Sequence, residues 1–165
     1  FISIRKRHCH QNIILRMIKS MNYKDGIKFQ CQGSSNCCVS RGSYGYVYLS
    51  NKDILKLSKF TKLKYEDFIS LYCDQTDGFT HFKERNKNGK CQFLNNKKCS
   101  IYKARPTQCR TWPFWSENMK VKTWNEDIAK FCPGINKGKL INKKKIDKII
   151  REDEINENLM LEGIS

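Results

Sequence analysis

Seven cysteines, Cys31, Cys37, Cys38, Cys91, Cys99, Cys109 and Cys132, are the residues whose type and spacing could do chemistry in this chain. Each falls at a turn or at the end of an expected element, where thiols can converge without breaking a hydrogen-bonded ladder. Thiolate is the soft ligand that zinc and iron–sulfur clusters select. Seven thiols left reduced and unpaired would also be an oxidation hazard. The alternative is cysteine as a small buried hydrophobe, and that reading is given to Cys73 at the end of an amphipathic helix. Cys9 lies between His8 and His10 on a basic tail and is left out of the site, because adjacent residues on a short tail rarely converge on one metal.

The densest stretch runs from Cys91 to Trp115, CQFLNNKKCSIYKARPTQCRTWPFW. Asn95, Asn96, Lys97 and Lys98 read as a turn between Cys91 and Cys99. Phe93, Leu94, Ile101, Tyr102, Trp112, Phe114 and Trp115 supply an apolar patch that could wall a metal centre and limit solvent access. Pro106 suits the first position of a short helical turn carrying Cys109 and Arg110. A guanidinium can offset thiolate charge, so one of Arg105 and Arg110 is expected to face the thiols, with Arg110 preferred. His81, expected on a strand, is the one histidine of this region that could complete a Cys3His zinc site.

The chain has 165 residues and a formal charge of +16, from 32 Lys and Arg against 16 Asp and Glu. That length suits one domain with a tail at each end. No apolar run reaches the roughly 18 residues of a membrane span. The charge admits nucleic-acid binding but does not favour it, since lysines are spread along the chain and the Lys, Asn and Ile content resembles codon bias. Nine cysteines, an odd number, fit a disulfide framework poorly, and Cys37 and Cys38 are adjacent, which disulfide geometry resists. A metal site in a reducing, intracellular compartment is the stronger explanation.

Residues 1–25 form a basic N-terminal arm: Arg5, Lys6, Arg7, Arg16, Lys19 and Lys24 precede the first acid, Asp25, alongside the apolar Ile13, Ile14, Leu15, Met17 and Ile18. Such composition describes either a solvated arm or an organellar transit-like segment, so the expected location is cytoplasmic or organellar. A chain opening on Phe1 reads as a fragment or processed form. The metal-binding module is expected over 26–135. It opens with the loop IKFQCQGSSNCCVS, followed by a strand over Tyr44–Leu49. A helix capped by Ser50 and Asp53 carries Ile54, Leu55, Leu57 and Phe60, and a second carries Tyr65, Phe68, Ile69 and Tyr72. A hairpin pairs Gly78–Glu84 with Lys90–Leu94 through Asn86-Lys87-Asn88-Gly89. A helix from Trp124 to Phe131 is stopped by Pro133 and Gly134 after Cys132. Residues 136–165 read as a Lys-rich linker and a C-terminal helix with Ile146, Ile149, Ile150 and Ile155.

Phe29-x-Cys31, Cys37-Cys38, CxFL, CxIY, RPTQCRTWPFW and the final CPG resemble, over Phe29 to Gly134, the YkgJ-type cysteine-cluster proteins, zinc- or iron-chelating domains. The usual opening of that family, CxxCxxCC, implies ligands at Cys31, position 34, Cys37 and Cys38; here position 34 is Ser34. The family includes flagellin lysine N-methylases, in which such a domain accompanies protein modification. This chain has neither a glycine-rich cofactor loop nor a carboxylate pair set for acid–base work, so the residues themselves leave enzymatic activity undecided.

The expectation is therefore a small, irregular α+β domain organised around a cysteine-ligated metal centre, an iron–sulfur cluster or zinc. Its role would be redox or protein modification, or else that of a structural zinc domain binding a protein or nucleic-acid partner.

Overall fold

The computed structural model describes residues 20–39, 45–84 and 89–162. The chain folds as a small α+β domain. Its elements are β1 (Ile27–Phe29), α1 (Asn51–Thr61), α2 (Tyr65–Tyr72), β2 (Cys73–Thr76), β3 (Phe79–Phe82), β4 (Leu94–Asn95), β5 (Lys98–Cys99), α3 (Thr107–Thr111), α4 (Ala129–Phe131), β6 (Ile135–Ile141) and α5 (Lys143–Glu162). Among the described residues, the strands pair antiparallel as β1–β6, β2–β3 and β4–β5. Cys9 and the apolar face Ile13–Ile18 lie outside the described residues.

Two apolar cores form. In the first, α1 and α2 bury Ile54, Leu57 and Phe68 against Leu49, Phe82, Phe93, Ile101 and Ala104. The α1 stripe is narrower than expected: Ile54 and Leu57 are buried, whereas Leu55 and Phe60 are exposed. At 3.6 residues per turn those two point away from the Ile54–Leu57 face. Ser50 accepts the Asp53 N–H and caps α1.

The hairpin beside these helices is β2–β3, pairing Cys73 with Phe82 through Thr76 with Phe79. It replaces the expected pairing of Gly78–Glu84 with Lys90–Leu94, whose connection overlaps residues outside the described set. The two-residue turn Asp77-Gly78 has positive φ at both positions (52° and 80°), the geometry that matches strand twist. Cys73 thus opens a strand and is buried in the first core. Of the expected Tyr44–Leu49 strand, the described part runs beside β3: Leu49 N–H donates to Thr80 O (2.9 Å) and Phe82 N–H to Val47 O (3.0 Å).

The second core gathers Ile27, Phe114, Met119, Trp124, Ile128, Ile135 and Ile146. Trp124 lies on a π-helical stretch, Thr123–Ile128, that runs into α4. The Lys-rich segment expected as a linker forms β6, with Ile27 opposite Ile141 and Phe29 opposite Ile135. The α5 helix then docks through Ile146, which is fully buried, with Ile149 and Ile150 packed beside it, while Ile155 is exposed. Residues 20–25 are not a free arm: Met21 N–H donates to Met119 O (2.9 Å), and Tyr23 donates to Asp147 Oδ1 (3.1 Å).

Candidate metal centre

A cavity of about 520 Å³ has walls from both cores: Val47, Phe82 and Ile101 from the first, Phe29 and Trp112 from the second. Cys31, Cys37, Cys38, Cys91, Cys99, Cys109 and Cys132 all line it. Cys73 does not.

Each thiol is carried by a short, tied segment. Cys37 and Cys38 sit on a 3-10 turn, Asn36–Cys38, entered through a left-handed Ser35 (φ 61°). Cys38 N–H closes that turn on Ser35 O (2.8 Å). Three further bonds fasten it across the cavity. Ser35 Oγ donates to Lys97 O (2.6 Å), Asn36 Nδ2 to Phe131 O (2.7 Å), and Cys91 N–H to Cys38 O (2.8 Å). Cys91 and Cys99 flank the β4–β5 hairpin, where Leu94 pairs with Cys99. Its turn residues Asn96 and Lys97 have positive φ (46° and 62°), as the polar run there suggests.

Cys109 lies in α3, and its support is a residue that sequence reasoning placed elsewhere. The Asp53 carboxylate, 1% exposed, accepts from Thr107 N–H through both oxygens (3.0 and 3.1 Å) and from Thr107 Oγ1 (3.0 Å). A carboxylate at a helix N-terminus satisfies orphan donors and suits the local dipole. The Ser50-x-x-Asp53 spacing reads as a capping box. The Asp53 side chain instead spends its acceptors on α3, a contact 54 residues away that no local pattern announces.

Cys31 and Cys132 are brought near each other by a backbone route. Gln30 N–H donates to Gly134 O (3.1 Å). A Cβ at Gly134 would lie 2.4 Å from Gln30 O, so the glycine of the CPG run permits this approach. Behind Cys132, Trp112 meets Phe131 edge-on at 6.0 Å and Trp115 at 4.9 Å. Trp115 Nε1 donates to Thr111 Oγ1 (3.0 Å), which donates to Asp153 Oδ1 of α5 (2.8 Å). Of the expected aromatic patch, Ile101, Tyr102, Trp112 and Trp115 line the cavity, whereas Phe93 and Phe114 are buried in the two cores.

The arginine expectation is corrected in its choice of residue. Arg110 borders the cavity but spends its guanidinium on Glu152 of α5 (2.5 Å) and Thr107 Oγ1 (3.3 Å), with the Arg110 and Glu152 side chains about 40% exposed. It is Arg105 whose charge acts on the thiols, favouring the ionised forms of Cys37 and Cys99. Its guanidinium lies 4.0 Å over the Tyr102 ring. His81 is not among the cavity residues. Its ring contacts Thr76 Oγ1 and Phe82 O, each at 2.9 Å, and stacks on Tyr46. This is a buried strand histidine with both nitrogens engaged.

Burial is the largest influence raising the thiol pKa of Cys91, Cys99, Cys109 and Cys132. At Cys132 the backbone at Gly134, and then the neighbouring Trp112, offset part of that. The adjacent pair behaves oppositely. A hydrogen bond from Cys38 lowers Cys37 to about 7, and the same bond, with burial, raises Cys38. One sulfur of this pair is thus poised to ionise near neutrality, and metal coordination would deprotonate the others outright.

Among the described residues, no group of three or more His, Cys, Asp or Glu side chains is drawn close enough to hold a metal ion as placed. The donor set nevertheless fits zinc or an iron–sulfur cluster. It is all soft sulfur, it has an aromatic wall, and Arg105 at the lining offsets negative charge on Cys37 and Cys99.

No solved structure matches the chain. Two uncharacterized proteins of Methanocaldococcus jannaschii do. One is 27% identical over 138 residues, covering 81% of this chain and 70% of the relative. The other is 30% identical over 134 residues, covering 76% of this chain and only 43% of the relative. Residues 30–133 match the profile of the family named CxxCxxCC, described as a "putative zinc- or iron-chelating domain". With most of its length inside that match, and its thiols gathered on one cavity, the chain belongs to the CxxCxxCC family.

Proposed function

We propose that this protein binds zinc or an iron–sulfur cluster through thiolates of the central cavity, and that this centre organises the domain. One observation carries the reading: seven thiols, brought by segments as far apart as Cys31 and Cys132, line a single cavity. A mononuclear structural zinc takes four ligands and a common iron–sulfur cluster four cysteines, so the set is sufficient for either. Such a group would supply Lewis acidity or an electron reservoir. The chain's own residues shape its surroundings. Arg105 favours ionised Cys37 and Cys99, Trp112 lies beside Cys132, and Asp53 fixes the turn carrying Cys109.

The aromatic wall favours the iron–sulfur form, with a redox or protein-modifying role following from it. Anaerobic purification with metal analysis and a visible absorption spectrum tests this. Bound iron with sulfide and a broad visible band supports a cluster; a colourless protein with stoichiometric zinc supports a structural zinc domain. A chain that holds neither metal, as purified or after reconstitution, contradicts the proposal.

A further inference from the structure

We propose that the outward face of α5 is an interface on which a second copy of this chain lays its own α5, antiparallel to the first. The inference goes beyond the metal reading and does not depend on it.

The helix runs 20 residues, Lys143–Glu162, about 30 Å. Its inner side is settled. Ile146, Asp153, Asn156 and Met160 are buried, and Asp153 accepts from Thr111 Oγ1 of α3 (2.8 Å). At 3.6 residues per turn, the opposite side carries Lys144, Lys148, Arg151, Ile155, Leu159 and Glu162, and all six are exposed. The steps between them are three or four residues, so they form one stripe along the helix. Within it stand two large apolar side chains, Ile155 at 50% and Leu159 at 41% exposure. Apolar residues set in a charged stripe at this spacing suit a helix–helix contact.

Charge identifies the occupant. The first half of α5 is cationic: Asp147, paired with Lys143, is its one acid before Glu152. The second half is acidic, and no cation follows Arg151. This order opposes the helix dipole, which favours acids in the first turn and cations in the last; α5 has neither. A second α5 laid antiparallel offsets that cost, because each cationic start meets the other copy's acidic end. With the two-fold axis at Ile155, that residue meets its own copy, the Arg151 stem packs on Leu159, and Lys148 faces Glu162. A parallel pair would set Lys144, Lys148 and Arg151 against their own copies, and like charge disfavours it. The stripe is self-complementary in one direction only.

The formal charge of +16 repels a second copy at long range. The association therefore belongs at physiological salt, where a Debye length of about 8 Å screens distant charges more than touching ones. One helix pair is a small interface, so the dimer is expected to be transient, with a dissociation constant on the order of micromolar.

Sedimentation velocity on the full chain, in reductant and physiological salt across the micromolar range, tests this. The unmodified chain is expected to pass from monomer to dimer. Ile155→Glu sets two carboxylates together on the axis and should leave monomer alone. Lys148→Glu and Glu162→Lys should each weaken association about tenfold or more, because each turns two attractive pairs repulsive. The double variant restores those pairs with signs exchanged and should recover the dimer. These positions are solvent-exposed, and circular dichroism checks each variant; the charge swap is a second readout should Ile155→Glu unsettle the helix. A chain that stays monomeric across the series overturns the proposal. So does a dimer that survives Ile155→Glu with its helix intact, or a double variant that associates no more tightly than the single ones.

Discussion

The two ends of the cavity are built by different means. At the α1 end, Cys109 is held by a buried carboxylate making three contacts to Thr107, and Cys91 and Cys99 bracket a tight hairpin. At the β1–β6 end, Cys31 and Cys132 depend on backbone contacts where two chain segments pass. A Cβ at Gly134 would block that approach. A side-chain cap into a packed core and a backbone contact between passing segments are two different supports for thiols of one cavity. The comparison teaches that equal chemistry, seven thiols, need not mean equal support.

Core truncations break this comparison most severely. Leu57 and Ile146 are both fully buried, one in each core. Replacement of either by alanine is expected to cost about 2–5 kcal/mol in urea unfolding. Metal retention should separate them. Leu57→Ala loosens the wall carrying Cys91, Cys99 and Cys109, whereas Ile146→Ala loosens the core on which Cys132 alone of the thiols packs, so the first should cost more metal. Equal metal loss in the two would erase the difference between the ends.

Asp53→Ala comes next. It strands the Thr107 N–H in a buried place, at about 1–3 kcal/mol. Because the turn holding Cys109 then shifts, metal affinity should fall roughly 10- to 100-fold, as for other residues that orient ligands. Asp53→Asn keeps one acceptor and should lose less in both measurements. Unchanged affinity in Asp53→Ala, read by chelator competition, would show that Cys109 does not need this support.

The arginines give the smallest effects, and they sharpen the assignment. Arg105→Gln should weaken metal retention by about tenfold or less, by removing charge near Cys37 and Cys99. Arg110→Gln removes an exposed pair with Glu152, is expected to cost no more than about 1 kcal/mol, and should leave metal retention as it was. The reverse order of the two would restore the arginine that the sequence favoured.

Local chemistry was readable; long-range choices were not. The Asn95–Lys98 turn, the Ser50 cap and the Pro–Gly stop after Cys132 each depend on neighbours within four residues, and the structure places them as read. The cysteines were identified by their type, their places at turns and element ends and the family resemblance, and all seven line one cavity. The failures have one physical origin. Arg110 is engaged by Glu152, 42 residues later on α5, rather than by the thiols. Asp53 caps α3 rather than completing its own helix's box. Ile135–Ile141 becomes a strand because β1, over a hundred residues earlier, offers it an edge. The β2 strand, CDQT, is too short and polar to show a period, and its turn, Asp77-Gly78, was passed over for the longer Asn-Gly connection.

Unfolding with and without metal tests the central claim most directly. Thiolate coordination drawn from both cores couples binding to folding. At free metal about 1,000-fold above the dissociation constant, binding contributes about 4 kcal/mol. Under anaerobic reducing conditions, the metal-loaded chain should therefore unfold at a clearly higher midpoint than the chelated chain, and Cys109→Ser should lose much of that gain. Identical midpoints for loaded and chelated protein would contradict a metal-organised domain.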